Sequence, residues 1–312
     1  MNYVTVINQV LIIFLLLFVG CGLFKGKLLS EAGVADLTKL LCYVISPCLI
    51  VNSFQIGYSQ SLLWEIGAAA ASAFGVHFAA MLLGGVVFNR RTVRDPDTRM
   101  YLRFSTIYSN CGFMGLPLLQ AVAGSKGLLF GAMYVGIYNL LNWTQGISIY
   151  TKSVSRSFAV KGFLNPNVIA IAISIPLFIF AFRLPPVIGS GVRYIAYLNT
   201  ALSMIVVGTQ IAKVSPLSII QDKWVWVGVL FRNLVVPVLW LLVLYALGMR
   251  GVLLLCCVLP AACPTGSFAV IFAELTGRNT RFPSKLVMLS TMTCIVTIPA
   301  VILLEQMLLQ LH

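Results

Sequence analysis

The chain has 312 residues, of which 60% are hydrophobic and only 9% are charged, and its mean hydropathy is +0.98. Soluble domains carry roughly 25% charged residues, so this composition excludes a soluble globular protein and predicts an integral membrane protein. The apolar runs are continuous and lack the alternation of barrel strands, which excludes a membrane β-barrel. We therefore expect an all-α membrane protein.

Apolar runs of about 20 residues, the length that a helix needs to cross a bilayer, recur along the chain. They predict ten transmembrane helices in a single membrane domain over residues 1–312, because the loops are too short to fold alone. The first run lacks the charged start and the cleavage site of a signal peptide, so we expect a true span there. The approximate span cores are 4–24, 34–54, 61–88, 100–123, 127–151, 166–183, 190–212, 224–248, 251–275 and 284–308.

Basic residues indicate the orientation of the spans. Most of the 21 Lys and Arg residues fall in the odd-numbered loops, among them Arg90, Arg91 and Arg94. Because cytoplasmic loops carry the excess of basic residues, we place these loops in the cytoplasm and both termini outside the cell. The sequence predicts a multi-pass protein of the cell inner (plasma) membrane. Its net charge of +13 is explained by topology and contact with anionic lipid, and we expect no nucleic-acid partner.

The ten predicted spans divide into two sets of five. Since five is odd, the second set must lie upside down relative to the first, which is the inverted-repeat arrangement of many secondary transporters. We expect repeat one at about 1–152, a linker at 153–164 and repeat two at about 165–312.

The fourth span of each half is interrupted by Gly and Pro, in GFMGLP (112–117) and LPAACPTGS (259–267). Such residues free backbone N–H and C=O groups, which survive in a membrane only against protein or a water-filled cavity. Half-helices that begin near Pro117 and Pro264 would each present about half a positive charge near the midplane. Two such ends predict an anion site, and a pair of tolerated proline kinks is the structural alternative.

Polar side chains within the spans add further candidates. Asn139, Asn142 and Gln145 are spaced three apart, so we expect them along roughly one helix face. Contact with a substrate and hydrogen bonding between helices are equally open for them. Asn52, five residues after Pro47 in the second span, is a weaker candidate of the same kind.

Charged and reactive side chains are scarce in the spans. Arg232 either draws an anion inward or, as we favour, snorkels or pairs with Glu274 or Asp222. His77 is expected to be a packed or interfacial residue and not a proton relay. The eight cysteines form no CxxC pair and are expected to be buried thiols, with no metal site. Neither GxSxG nor HExxH occurs, so we do not expect an enzyme.

Four segments, which begin at Asn110, Asn165, Pro264 and Ser284, resemble the auxin efflux carrier family, which includes the plant PIN-formed carriers and bacterial organic-acid carriers. NCGFMGLPLLQAVAG (110–124) is similar to the family's Asn-x-x-x-Met-Gly-x-Pro-Leu-Leu segment, and NPN (165–167) to its Asn-Pro-Asn. PTGSFAVIFAEL (264–275) and SKLVMLSTMTCIVTIPAVILL (284–304) are similar to its last two helices. The resemblance implies two inverted five-helix repeats, broken helices 4 and 9 that cross around a substrate carboxylate, and an elevator-like movement.

The resemblance leaves open whether Pro260 or Pro264 forms the crossover. Ala269 and Glu274 depart from the plant carriers and favour a bacterial-type organic acid over auxin. The candidate substrate-binding residues carried over from the family are Asn110, Gly115, Pro117, Pro264 and Gly266. The remaining candidates are Gly112, Pro260, Thr265, Asn139, Asn142, Gln145 and Asn52.

We therefore expect a secondary active transporter of a small organic anion, a carboxylate such as malonate, malate or an auxin-like acid. A membrane receptor that binds an organic anion without translocating it is the alternative. No cofactor is expected. The coupling ion, H⁺ or Na⁺, and a homodimeric state stay open.

Overall fold

The computed structural model describes residues 3–151, 156–212 and 222–310, so that part of the predicted linker, 153–155, lies outside it. The described residues form twelve helices and no strand, which confirms the predicted all-α membrane fold. The helices are α1 (Tyr3–Lys25), α2 (Glu31–Ser53), α3 (Gln60–Val87), α4 (Pro96–Ile107), α5 (Cys111–Thr151), α6 (Arg156–Phe163), α7 (Pro166–Ile179), α8 (Pro186–Ala212), α9 (Lys223–Ala246), α10 (Gly251–Ala262), α11 (Phe268–Leu275) and α12 (Arg281–Gln310).

Seven of these helices, α1, α2, α3, α5, α8, α9 and α12, are long and apolar enough to cross a membrane. Two shorter apolar helices, α7 and α10, have 14 and 12 residues. The chain leaves the helical conformation at 108–110, between α4 and α5, and again at 263–267, between α10 and α11. The second interruption lies within the motif that predicts it, 259–267, whereas the first lies just before its motif, because 112–117 is itself helical.

Capping residues determine where several helices begin. The side chains of Ser30 and Ser59 accept hydrogen bonds from backbone N–H groups of the first turns of α2 and α3. Asp95 and Asn165 do the same for α4 and α7, each followed by a proline whose fixed φ suits the first helical position. Hydrogen bonds from the Thr98 side chain and backbone N–H lower the pKa of the Asp95 carboxyl below its usual value.

Gly124 turns the chain back on itself within α5. It has a φ of +57°, which favours glycine, and it separates a first arm, 111–123, from a second arm, 125–151. The arms pack closely, because a Cβ added at Gly127 would lie 2.3 Å from the carbonyl oxygen of Leu119. One at Gly131 would lie 2.5 Å from the Leu119 side chain. Small residues thus allow the two arms to pack backbone to backbone.

The helices form two packed groups. In the first group α8 contacts both α1 and α2, and α2 contacts α7. In the second group α3, α5 and α10 contact one another, and α9 and α12 pack against α10. The Trp240 indole N–H of α9 donates to the Ser72 hydroxyl of α3 over 3.0 Å, so polar as well as apolar contacts bind this second group together.

Large apolar side chains cover the outer faces of the helices. Leu15 is 62% exposed, Phe78 63% and Trp64 73%. In water such surfaces would be strongly unfavourable, whereas in a bilayer they lie in a solvent of their own kind. This distribution of exposed side chains agrees with the membrane environment that the composition predicts.

Candidate functional site

The two interruptions of the helices contact each other through their backbones. Ser109 and Thr265 form an isolated antiparallel bridge. The N–H of Asn110 donates to the carbonyl of Pro264 over 2.7 Å, and the N–H of Gly266 donates to the carbonyl of Tyr108 over 3.0 Å. We call this pairing of 108–110 with 263–267 the crossing. It satisfies inside the protein the backbone groups that the breaks leave free.

The second interruption is also held by its surroundings. The N–H of Thr265 donates to the Ser290 hydroxyl of α12 over 3.0 Å. A Cβ added at Gly266 would lie 3.0 Å from the carbonyl oxygen of Ser109 and 3.1 Å from the hydroxyl of Tyr138. Glycine at this position therefore lets the two strands of backbone approach each other.

The structure separates the roles of the two prolines that the sequence leaves open. Pro264 lies in the break, and its carbonyl accepts the hydrogen bond from Asn110. Pro260 lies inside α10, near the end of that helix. Pro264 is therefore the proline of the crossing.

The first half-helix begins earlier than predicted. The helix starts at Cys111, with Asn110 at the N-cap position, and its first turn is a π-helical turn over Cys111–Gly115. The regular α-helical part starts at Leu116, beside Pro117 as predicted, but the π-helical turn extends the half-helix back to Cys111. Gly115 packs against the end of α10 and the second interruption, since an added Cβ would lie 3.8 Å from the Pro260 Cα and 3.4 Å from the Cys263 sulfur.

A small cavity lies beside the crossing, at the surface between the two groups of helices. Its volume is about 180 Å³, and we call it the crossing cavity. Three of the candidate residues, Asn110, Gly112 and Asn139, line it. The other lining residues are Thr38, Cys42, Tyr43, Ser46, Phe113, Val135, Tyr138, Trp143, Asn165, Pro166, Asn167, Ser267, Phe268 and Ile271.

The crossing cavity combines uncharged donors with the start of a helix. None of its lining residues carries a formal charge. The backbone N–H groups of Cys111, Gly112 and Phe113 donate to no backbone carbonyl in the described part of the chain, as expected for the first turn of a helix. They add to the hydroxyl and amide donors of the walls. Such an arrangement suits a ligand that accepts hydrogen bonds and carries negative charge.

The second half-helix contributes less than predicted. α11 begins at Phe268, and the N–H groups of Ala269 and Val270 already donate to the carbonyls of Gly266 and Ser267 over 3.0 Å. The tight first turn therefore satisfies donors that the sequence predicts to be free for an anion. The helix also has only eight residues. The two half-helix ends are unequal, and the α5 end supplies more free N–H groups.

The three polar residues of α5 do not share one face. Asn139 lines the crossing cavity, and its side chain donates to the carbonyl of Val135 and accepts from Asn165 over 3.4 Å. Asn142 is fully buried, and Gln145 lines a different cavity. The prediction of a shared face is wrong because a π-helical turn over Asn142–Gly146 adds a residue to the turn and rotates the side chains after it.

The remaining candidates lie outside the crossing cavity. The side chains of Asn142 and Thr265 are fully buried, and their polar atoms have no partner among the described residues. Asn52 lies near the end of α2 and lines neither that cavity nor the one that Gln145 lines. Gly115, Pro117 and Pro260 do not line the cavity either.

A larger cavity, of about 700 Å³, shares no lining residue with the crossing cavity. It reaches from the loop between α3 and α4 to Ile107 and Gln145, and the Tyr108 hydroxyl donates to Gln145 over 2.6 Å at its inner end. Five arginines line it against a single carboxylate, so we call it the arginine cavity. The arginines are Arg90, Arg94, Arg99, Arg103 and Arg278, and the carboxylate is Asp97.

His77 is packed, as expected. Its ring is buried, its Nδ1 lies 2.6 Å from the carbonyl oxygen of Ala73, and the rings of Tyr108, Tyr134 and Tyr138 surround it. It lines neither cavity.

Sequence reasoning missed the whole α2 wall of the crossing cavity, which consists of Thr38, Cys42, Tyr43 and Ser46. Cys42 and Tyr43 lie within a π-helical turn at Leu41–Ile45, which local sequence does not indicate, and Thr38 and Ser46 lie on either side of it. It also missed Tyr138 and Ser267. The Asn165-Pro166-Asn167 motif was available as a signal, because it caps α7 and also lines the cavity.

Comparison with known families supports a transport role. The family model described as "Membrane transport protein" matches residues 5–155 and 150–302. No curated protein matches the chain. Because the two matched segments cover nearly the whole chain, the family is established. The chain belongs to the membrane transport protein family, the family of the auxin efflux carriers.

Proposed function

We propose that the protein is a secondary carrier of a small organic anion, and that the crossing cavity holds the carboxylate. The observation that carries the proposal is an uncharged cavity at the N-terminus of α5, lined by amide and hydroxyl donors. Membership of a membrane transport family supports movement of the ligand across the membrane. Ten spans in two inverted halves and an elevator-like movement are part of the same proposal.

The size of the cavity favours a small acid. Its volume of about 180 Å³ is below the roughly 300–1,000 Å³ that drug-sized ligands occupy. The rings of Phe113, Tyr138 and Phe268 line one part of it, and amides and hydroxyls line the rest. A compact mono- or dicarboxylate of the bacterial organic-acid type, such as malonate or malate, matches this combination better than an extended ligand does.

The absence of a lysine or arginine from the cavity wall also supports a transport site. A full ion pair in a low-dielectric cavity would hold an anion strongly and slow its release. Partial charges of helix N–H groups and side-chain dipoles bind more weakly and need no counter-ion to leave with the ligand. A carrier must bind its substrate on one side and release it on the other, so a neutral, donor-lined site suits that task.

The experiment that tests the proposal fills the cavity. A Cβ added at Gly112 meets nothing within 4 Å, and Gly112 lines the cavity, so Gly112→Leu places an apolar side chain in the space for the anion at small cost to the fold. Gly67→Leu is the matched control, since Gly67 lies exposed on α3 and an added Cβ there also meets nothing.

The readout is counterflow of labelled malonate and malate in liposomes that contain the purified protein. We expect exchange in the wild type and in Gly67→Leu, and a loss of at least about tenfold in Gly112→Leu. Exchange at the wild-type rate in Gly112→Leu would place the substrate elsewhere. Binding without exchange in the wild type would favour a receptor over a carrier.

A further inference from the structure

Arg232 is a fully buried cation in the centre of the second group of helices. It lies on α9 and is 1% exposed. The prediction that it pairs with Glu274 or Asp222 or snorkels to the interface is wrong. Of the described carboxylates none forms an ion pair with it, and Asp222 instead lies 3.7 Å from Lys285.

The partners of Arg232 are backbone carbonyls at the ends of two helices. Its guanidinium donates to the carbonyls of Thr106 and Ile107 over 2.9 and 3.2 Å, and these are the last two residues of α4. It also donates to the carbonyl of Ala261, the second-last residue of α10. Both helices end at the crossing, so one guanidinium connects the helix ends that precede the two interruptions.

The charges of these groups balance. The C-terminus of a helix carries roughly half a negative charge, because its last carbonyls have no N–H partner. The ends of α4 and α10 together present about one negative charge, and Arg232 supplies one positive charge. In a protein interior, carbonyls that converge in this way otherwise attract a metal cation or water.

A π-helical turn places the arginine in this position. The turn covers Phe231–Val235, and it directs the consecutive side chains of Arg232 and Asn233 into the protein, each 1% exposed. Asn233 donates to the carbonyl of Ser290 over 2.8 Å, and the Ser290 hydroxyl accepts the N–H of Thr265 in the crossing. Two neighbouring residues of α9 thus support the crossing, Arg232 by its charge and Asn233 through its hydrogen bond to Ser290 of α12.

We propose that the Arg232 guanidinium is a built-in cation of the crossing, which neutralises the ends of α4 and α10 in place of a bound metal ion. The positive N-terminus of α5 then remains available to the anion in the crossing cavity. One consequence rests on the proposed function of that cavity, namely that the anion is held without Na⁺ at the crossing. The role of Arg232 itself rests on its hydrogen bonds.

The test distinguishes stabilisation by the positive charge at position 232 from stabilisation by the bulk of the side chain. Arg232→Lys retains the positive charge, and Arg232→Met retains an unbranched side chain without charge. Arg250→Met is the matched control, because Arg250 also donates to two backbone carbonyls, those of Tyr245 and Met249, but at an exposed loop. Melting temperatures of the ligand-free protein in detergent are measured in sodium chloride and in choline chloride at equal ionic strength.

We expect Arg232→Met to melt roughly 10 °C below the wild type, because loss of the guanidinium leaves buried carbonyls unpaired. Arg232→Lys and Arg250→Met should melt within about 3 °C of the wild type. The wild type should melt at the same temperature in sodium and in choline. Equal stability of Arg232→Met and Arg232→Lys would overturn the proposal. A dose-dependent rise of the wild-type melting temperature with sodium, absent with choline, would overturn it too.

The sodium comparison uses only the wild type, so it decides the question even when Arg232→Met does not fold. No substrate is present in either arm, so a wrong choice of acid does not affect the result. Conversely, loss of malonate exchange in Gly112→Leu concerns the cavity and leaves Arg232 untouched. The two proposals therefore fail separately.

Discussion

The crossing cavity and the arginine cavity share no lining residue and differ in almost every physical property. The first has a volume of about 180 Å³ and no charged lining residue, and the second has about 700 Å³ and five arginines. Long-range charge attracts an anion from solution, whereas short-range dipoles hold it in one orientation. The difference suggests that attraction and binding are assigned to separate parts of the molecule.

The π-helical turns mark the crossing cavity and its neighbourhood. The described chain has four of them, at Leu41–Ile45, Cys111–Gly115, Asn142–Gly146 and Phe231–Val235. The first three contain residues that line the crossing cavity, the third also contains Gln145, and the fourth contains Arg232. Such turns cost helix hydrogen-bond geometry and are frequent at functional sites. Their distribution supports the crossing as the functional centre.

The largest expected effect comes from adding a negative charge to the crossing cavity. Asn110→Asp keeps the shape of the side chain and is a favourable N-cap residue, so we expect the melting temperature to be unchanged or raised. Repulsion between like charges near 4 Å amounts to about 4 kcal/mol at an effective dielectric constant of 20. The Kd for the anion, measured by thermal shift, should therefore rise at least about 100-fold.

Asn110→Ser is the control for that substitution, because Ser is also a favourable N-cap residue and adds no charge. It should bind the anion within about tenfold of the wild type. Equal affinity of Asn110→Asp and Asn110→Ser would mean that the anion does not approach Asn110. The comparison between a neutral binding cavity and a charged attracting cavity would then have to be abandoned.

The next effect concerns the close approach at the crossing. Gly266→Ala places a Cβ 3.0 Å from the carbonyl oxygen of Ser109 and should reduce the free energy of unfolding by about 2 kcal/mol. Gly115→Ala meets its nearest atom at 3.4 Å and should cost less than about 1 kcal/mol. Denaturant titrations of both variants measure the difference. Equal stability of the two variants would show that the crossing accommodates an added methyl group at little cost.

A smaller, kinetic effect is expected at the arginine cavity. Arg90→Gln with Arg94→Gln removes two of its charges and should slow initial anion uptake about fivefold at low salt. The effect should fade as salt is added, because screening weakens attraction over distance, while the Kd changes little. Arg183→Gln with Arg193→Gln is the control, because these two exposed arginines lie outside the arginine cavity. A salt-independent loss of affinity would assign the arginine cavity a binding role.

The smallest effect is expected at Asp95, beside the arginine cavity. Asp95→Ala removes the cap of α4 and should lower the free energy of unfolding by about 0.5 kcal/mol at neutral pH. Because the folded-state pKa of Asp95 is lowered, this contribution is present above the ordinary carboxyl pKa of about 3.9 and is lost as the pH falls through the lower folded value. Urea titrations at neutral and acid pH measure the difference in unfolding free energy between the wild type and Asp95→Ala. A difference that persists at low pH would contradict the prediction.

The general plan of the fold follows from composition and from Gly and Pro. Continuous apolar runs predict helices, and the breaks at 108–110 and 263–267 lie at or beside the motifs that predict them. The contact between the two breaks is carried by backbone hydrogen bonds, to which Asn110 and Pro264 contribute. Local sequence thus indicates where the helices are interrupted. It also identifies part of the candidate site, because Asn110 and Gly112 line the crossing cavity.

The rest of the site depends on geometry that local patterns do not contain. A π-helical turn rotates Gln145 away from Asn139, and another turns Arg232 toward carbonyls of α4 and α10. Thr38 and Ser46 reach the cavity only because α2 packs at the surface between the two groups of helices. Sequence reasoning sought a carboxylate for Arg232, whereas helix ends supply the negative charge without an acidic residue.

The most direct test of the crossing cavity uses the thiol of Cys42, which lines it and is half-buried. A Cys21→Ser, Cys48→Ser variant retains Cys42 as the half-buried thiol of the described chain, and a Cys42→Ser, Cys48→Ser variant retains Cys21, outside the cavity. The rate of alkylation by N-ethylmaleimide is measured with and without malonate or malate. We predict that an acid which exchanges in liposomes slows alkylation of Cys42 and not of Cys21. An exchanged acid that leaves the alkylation of Cys42 unchanged would contradict binding in the crossing cavity.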